Sequence, residues 1–253
     1  GHVRIYKNNN GSWQQIGSDI DGEAARDYFG RAVSLSSDGS VVAISAPYND
    51  GNGSSSGHVR IYKNNNGSWQ QIGSDIDGEA ARDYFGRAVS LSSDGSVVAI
   101  SAPYNDGNGS SSGHVRIYKN NNGSWQQIGR DIEGEAASDY LGKAVGLSSD
   151  GSIVAIGAPG NDDAASASGK VRVYRNVDSK WTQIGGDIKG KATYDSLGQK
   201  IEISDDGSTI ALGTTSGKGS LIVYRNINNS WTEVMKIEGK RGGEEGGSIG
   251  YYF

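Results

Sequence analysis

A 56-residue repeat, two tight-turn signals at fixed offsets inside it and the absence of helical spacing within the unit predict an all-β fold. The expected architecture is a β-propeller of four-stranded antiparallel blades. Gly1 to Ser56 recurs unchanged as Gly57 to Ser112, and a diverged third copy runs from Gly113 to Ser168. A fourth unit, 169 to 218, is shortened to 50 residues, and a fifth begins at Gly219 and runs to 253. A period of this length implies supersecondary units that hide their apolar faces only against one another. Rungs of a β-solenoid, the main competitor, are usually shorter and lack hairpin turns at constant offsets.

Each element can be justified in chain order. RAVSLS at 31 to 36 alternates apolar and polar residues and ends at Asp38-Gly39, whose positive-φ preference suits a tight hairpin. VVAISA at 41 to 46 is apolar on both faces, as expected of a strand covered on both sides. A loop from Tyr48 to Ser56 leads to HVRIY at 58 to 62, and Asn66-Gly67 turns that strand into Trp69 to Ile72. Four blades are complete on this count, at roughly 29 to 76, 85 to 132, 141 to 188 and 197 to 237. The N-terminus supplies two strands of another blade, Val3 to Tyr6 and Trp13 to Ile16, and the C-terminus at most one, Ser248 to Phe253. Joining them would close five blades and remove two sheet edges; the alternative is a segment of a larger propeller. The whole of 1 to 253 is read as one such domain.

Composition limits the function classes. The 253 residues include 40 Gly, 3 Pro, 1 Met and no Cys, which excludes a disulfide framework, a thiolate metal site and a cysteine nucleophile. The net charge of −5 disfavours a nucleic-acid partner, and no apolar run reaches the length of a membrane-spanning helix. The start at Gly1 and the lack of a signal segment suggest an excised piece of a longer protein.

Phe29-Gly30 and Phe85-Gly86, followed by Ser45-Ala46-Pro47, Ser101-Ala102-Pro103 and, in the third unit, Gly157-Ala158-Pro159, resemble the FG-GAP repeat of the integrin α-subunit propeller and its microbial and algal relatives. The resemblance implies an extracellular or cell-surface propeller used for adhesion, without catalysis. It weakens in later units, where Leu141, Leu197 and Ile249 replace Phe and Gly213-Thr214-Thr215 stands at the GAP position. The integrin-type calcium loop would fall between the first two strands, where SSDGS is too short to wrap a cation that takes six to eight oxygens.

In an up-and-down blade the loops after the second and fourth strands share one face. Here that face is acidic. Asp19, Asp21 and Glu23, with Asp75, Asp77 and Glu79 in the second unit, are candidate ligand-binding positions. Asp50, Asn52 and Ser54, with Asp106, Asn108 and Ser110, have alternate spacing that can converge on a hard cation, so calcium is the one cofactor considered. The competing reading is a solvated loop of Asx-turns. Asp27, Asp83, Asp139 and Asp195 read as structural caps ahead of the Phe-Gly turn. Units one to three carry −2, −2 and −3 and the remainder +2, a charge division compatible with head-to-tail self-association.

The opposite face carries Asn10, Asn66, Asn122 and Asn228, each opening an Asn-X-Ser sequon at a turn and hence a candidate glycosylation site; Asn52 and Asn108 add two more on the first face. Trp13, Trp69, Trp125, Trp181 and Trp231 occur once per unit, as inter-blade packing or as sugar-stacking platforms. His2, His58 and His114 are repeat-borne and give way to Lys170 and Ser220, while Glu244 and Glu245 are the conspicuous acids outside the pattern. With no convergent, non-repeated set of groups, no enzyme is expected. The sequence thus reads as an extracellular, non-enzymatic adhesion or structural module, part of a surface filament, binding an extracellular protein or glycan or itself. A carbohydrate-binding propeller with one weak site per blade is the alternative.

Overall fold

The computed structural model describes residues 1–239, so Ser248 to Phe253, Ile249, Glu244 and Glu245 lie outside the described residues. Strands and turns make up the described residues, and the sheets are antiparallel meanders. In the first complete blade Val33–Leu35, Val41–Ala46, His58–Asn65 and Ser68–Gln71 follow one another across the sheet. The short strand Ile76–Asp77, absent from the sequence reading, pairs with the start of the third strand, His58 opposite Asp77 and Val59 opposite Ile76. The fourth strand is therefore split in two around a Gly-Ser-Asp bend. The next two blades repeat this order, and the fourth runs from Ile201–Ile203 to a single long outer strand, Ser230–Glu238, with a bulge opposite Val223 and Tyr224.

The inner strand is shorter than the sequence suggested. Arg31 and Ala32 stay outside it because the Phe-Gly turn still governs the backbone there: Gly30 N–H donates to the Ser45 carbonyl at 2.9 Å and Ala32 N–H to Ser45 Oγ at 3.0 Å. The equivalent Gly86 shows why Gly stands at this turn, since φ is +87° and a Cβ would meet that of Ser45 at 2.9 Å. Phe29, Phe85, Leu141 and Leu197 fill one buried position in successive blades, so the Phe-to-Leu change preserves the role.

The core lies between sheets. Val41–Ala46 is buried along its whole length, and each apolar cluster joins residues of neighbouring units, as where Val41, Ala43 and Ile61 pack with Leu91, Val98 and Ile100. Backbone bonds tie the hairpins of successive blades, from Ser37 N–H to the Ser93 carbonyl, Ser93 to Ser149 and Ser149 to Asp205, at 2.8–2.9 Å. On the outer side, Trp69, Trp125, Trp181 and Trp231 each donate an indole N–H to a carbonyl of the preceding unit, at Ile16, Ile72, Ile128 and Ile184, over 2.8–3.0 Å. The once-per-unit Trp is an inter-blade tie.

At the N-terminus, Tyr6–Asn9 and Ser12–Gln15 form a two-stranded outer half-blade, with His2–Val3 paired to Ile20–Asp21. Among the described residues no strand pairs this half-blade with the fourth blade. No helix of the described residues is long and apolar enough to cross a membrane.

Candidate functional site

The loops after the second and fourth strands do converge on one face, and two features are assembled there. The first is the mouth of the central channel. Four inner strands line a cavity of about 500 Å³, into which the repeat brings Arg31, Arg87, Lys143 and Lys200, with Glu202 as the single acidic lining residue. None of these four cations forms an ion pair among the described residues. Beside them runs an arc of tyrosines in which Tyr28, Tyr48, Tyr84, Tyr104 and Tyr140 touch in turn, with ring centroids 4.7–5.6 Å apart. Tyr28, Tyr84 and Tyr140 are held at φ near +55°, a strained conformation for an aromatic residue that aims each ring along the arc. The arc stops at Tyr140 because Gly160 stands where Tyr48 and Tyr104 stand in earlier units.

The Lys143 ammonium lies 3.2 Å from the Tyr104 hydroxyl. Burial raises the Tyr104 phenol, but the positive charges of Lys143 and Arg87 outweigh it and leave it more acidic than an ordinary tyrosine. Channel and arc are joined through this pair.

The second feature sits between blades, further from the axis. Glu23 does not converge with Asp19 and Asp21 of its own loop. Asp19 is held by Arg4 and Gln15, Asp21 is paired in a strand, and Glu23 reaches the next unit to meet His58, Arg60 and Asp75. Arg60 is ion-paired with both carboxylates, and His58 Nδ1 lies 3.8 Å from Glu23 Oε1 and 3.7 Å from Asp75 Oδ2. The second copy repeats the arrangement with Glu79, His114, Arg116 and Asp131. In the third copy Lys170 replaces His, its ammonium 2.6 Å from Glu135, 2.6 Å from Asp163 and 3.5 Å from Asp187. Asp77 of the sequence-based set faces His58 across the strand pair, and Burial followed by the Asp75 charge raises its carboxyl above the usual range. Burial above all, with Arg116 beside it, lowers the His114 imidazole to about 4.

The other predicted positions have local partners. Asp50 Oδ1 accepts the Ser55 N–H and Asp106 Oδ1 that of Ser111, both at 2.7 Å, while the Asn52 and Asn108 amides donate to the Gly78 and Gly134 carbonyls. Ser54 and Ser110 accept backbone bonds through their carbonyls, from Arg82 and Ser138. Asp27, Asp83 and Asp139 are buried and accept from Asn49, Asn105 and Asn161, and Asp195 accepts from the Lys191 and Ala192 N–H groups. Asn10, Asn66, Asn122 and Asn228 sit exposed on their turns at φ near +50°.

Residues 19–62 and 75–118 match the FG-GAP repeat family. No curated protein matches the sequence. Among solved structures, the periplasmic gluconolactonase of Pseudomonas aeruginosa is similar at 16% identity and a TM-score of 0.61, over 98% of this chain and 66% of that one. A candidate 6-phosphogluconolactonase from Bacteroides uniformis is similar at 11% identity and 0.64, over 94% and 65%. A protein of unknown function from Desulfotomaculum acetoxidans gives 13% and 0.62, over 94% and 63%. The chain therefore spans just under two thirds of these neighbours' length. At such identity the likeness is one of fold.

These neighbours correct two expectations: that the chain is a non-enzymatic adhesion, structural or lectin-like module, and that it is not an enzyme. Two of them are named for lactone chemistry, and nothing in the comparisons points to adhesion. The error has a physical source. Along the sequence, repeat-borne residues form no convergent set, yet around an axis equivalent inner-strand positions do converge, as Arg31, Arg87 and Lys143 show.

Proposed function

The chain carries FG-GAP repeats folded as propeller blades, and on that premise we propose that its channel mouth binds an anionic sugar-acid derivative and hydrolyses the corresponding lactone. The four cations without acidic partners carry the reading. A cluster of like charges on an otherwise acidic chain is costly unless an anion shares the site. A carboxylate or phosphate would pair with the guanidinium forks of Arg31 and Arg87. The tyrosine arc offers ring faces to the apolar side of a sugar and hydroxyls to its polar edge.

In the reaction, Tyr104, made acidic by Lys143, supplies a phenolate that takes a proton from water as the hydroxide adds to the lactone carbonyl. The neighbouring cations stabilise the oxyanion of the tetrahedral intermediate. When the ring C–O bond breaks, the Tyr104 phenol returns the proton to the leaving alkoxide, giving the open acid and restoring the site. Extracellular placement and glycans on Asn10, Asn66, Asn122 and Asn228 are part of the proposal, supported by the exposure of those turns and tested by a mass shift on deglycosylating native material.

The experiment follows acid release from gluconolactone and 6-phosphogluconolactone over the buffer rate, alongside calorimetric binding of gluconate and 6-phosphogluconate. Lys143→Ala should lower kcat/KM at least tenfold, and Arg87→Ala should weaken anion binding by a similar factor. Neither turnover nor binding with either pair would sink the reading.

A further inference from the structure

We propose that the inter-blade baskets Glu79–His114–Asp131 and Glu23–His58–Asp75 are binding sites for a divalent first-row transition metal ion, for which Zn²⁺ is the probe. The inference is independent of the channel mouth, whose residues take no part in either basket.

Four observations converge on it. In each basket one nitrogen and two carboxylate oxygens lie within 4.8 Å of one another. His114 is 1% exposed, and neither of its ring nitrogens has a hydrogen-bond partner; Glu133 Oε2, from the carboxylate opposite it in the strand pair, is also buried and unpartnered. A buried imidazole with both nitrogens unused loses its hydration without compensation. The separation is diagnostic as well. At 3.8 Å from Glu79 Oε1, His114 Nδ1 is too far to hydrogen-bond, whereas ligands about 2.0–2.1 Å from a tetrahedral zinc stand about 3.4 Å apart, so this edge needs a few tenths of an ångström of closure and the rest of the basket, within 4.8 Å, at most about 1.4 Å.

The third copy provides the control. There the equivalent position holds the Lys170 ammonium, itself 2% exposed and bound by Glu135 and Asp187, the counterparts of Glu79 and Asp131, and by Asp163, where the earlier units have Gly51 and Gly107, which shows that the position accepts a buried cation. Where His stands instead of Lys, the Glu and Asp counterparts remain but the central ammonium is gone. Imidazole with carboxylates is a donor set suited to zinc and its neighbours, and three protein ligands leave room for water. Arg116 and Gln127 already hold the outer lone pairs of Asp131, and Arg116 and Asn105 those of Glu79, so they would remain as an orienting outer shell. The guanidinium charge opposes a second cation, which sets the expected affinity in the micromolar range. Within residues 1–253 the full set occurs at His58 and His114, whereas the fourth unit has Lys170 and the fifth Ser220, so two sites are expected in these residues.

Equilibrium dialysis of the chelator-stripped chain against Zn²⁺, with metal analysis, should give two ions per chain. His58→Lys should leave one and the His58→Lys/His114→Lys pair none, with unchanged circular dichroism, because Lys is already packed in the third basket. No zinc retained by the wild-type chain, or two ions retained by the double variant, would overturn the assignment.

Discussion

Residues 1–56 and 57–112 are the same sequence in two settings, and the difference isolates what a neighbour contributes. Tyr6 is 46% exposed and Tyr62 9%; Leu35 is 49% exposed and Leu91 7%; Trp13 is 68% exposed while Trp69 is half-buried and bonded to Ile16. Tyr62 and Trp69 have the N-terminal half-blade in front of them and Leu91 a complete blade, whereas among the described residues no sheet covers Tyr6 and Trp13, and Leu35 meets a half-blade that lacks inner strands. Secondary structure survives the change: Tyr6–Asn9 and Ser12–Gln15 pair in the register that His58–Asn65 and Ser68–Gln71 use. Turn chemistry and hairpin bonds are local to the unit, whereas burial is a property of the contact between units.

Substitutions at matched positions test this contrast. Trp69→Ala should cost about 3 kcal/mol through lost packing and the lost Ile16 bond, and Trp13→Ala less than about 1 kcal/mol, measured by chemical denaturation. Leu91→Ala should cost about 2–3 kcal/mol against less than about 1 kcal/mol for Leu35→Ala. Equal losses within either pair would mean that the first copy is covered in solution by another chain.

Acid extends the contrast to charge. His114 titrates in the fold at about 4, below the ordinary value near 6.5, so the unfolded chain binds the proton first and stability falls as pH drops from 6.5 towards 4. In chelating buffer this amounts to about 2 kcal/mol by pH 5, and His114→Asn should flatten that limb. The smallest difference is expected at two glycines with φ of +70°. A Cβ at Gly95 would meet Val41 at 2.7 Å, and one at Gly39 would meet nothing within 4 Å. Both Ala variants bear the left-handed backbone penalty of about 1 kcal/mol, and Gly95→Ala should lose about 1 kcal/mol more by thermal melting.

The baskets and the channel were less legible than the blades. Period-2 alternation and the Asp-Gly and Asn-Gly turns place the second, third and fourth strands within a few residues, because these signals act over neighbouring positions. Asp19, Asp21 and Glu23 were grouped by adjacency along one loop, but the extended backbone and the split fourth strand send Glu23 across to the next blade. A signal was nonetheless present: Glu135 and Asp187 persist at the spacing of Glu23 and Asp75 while His58 and His114 become Lys170, and acids that persist around a position that trades one cation ligand for a cation share a site. The tyrosine arc leaves no local signal, because Tyr28 and Tyr48 lie in different loops of a unit.

The repeat unit, its antiparallel meander and the turns that join its strands could be read from the chain alone, since each depends on turn residues and strand pairings within one repeat. The tertiary structure alone decided which copy of an identical residue is buried, which acids meet which histidine, and that four cations share one channel. Those outcomes depend on the rotation from one blade to the next, which brings together groups a whole repeat apart.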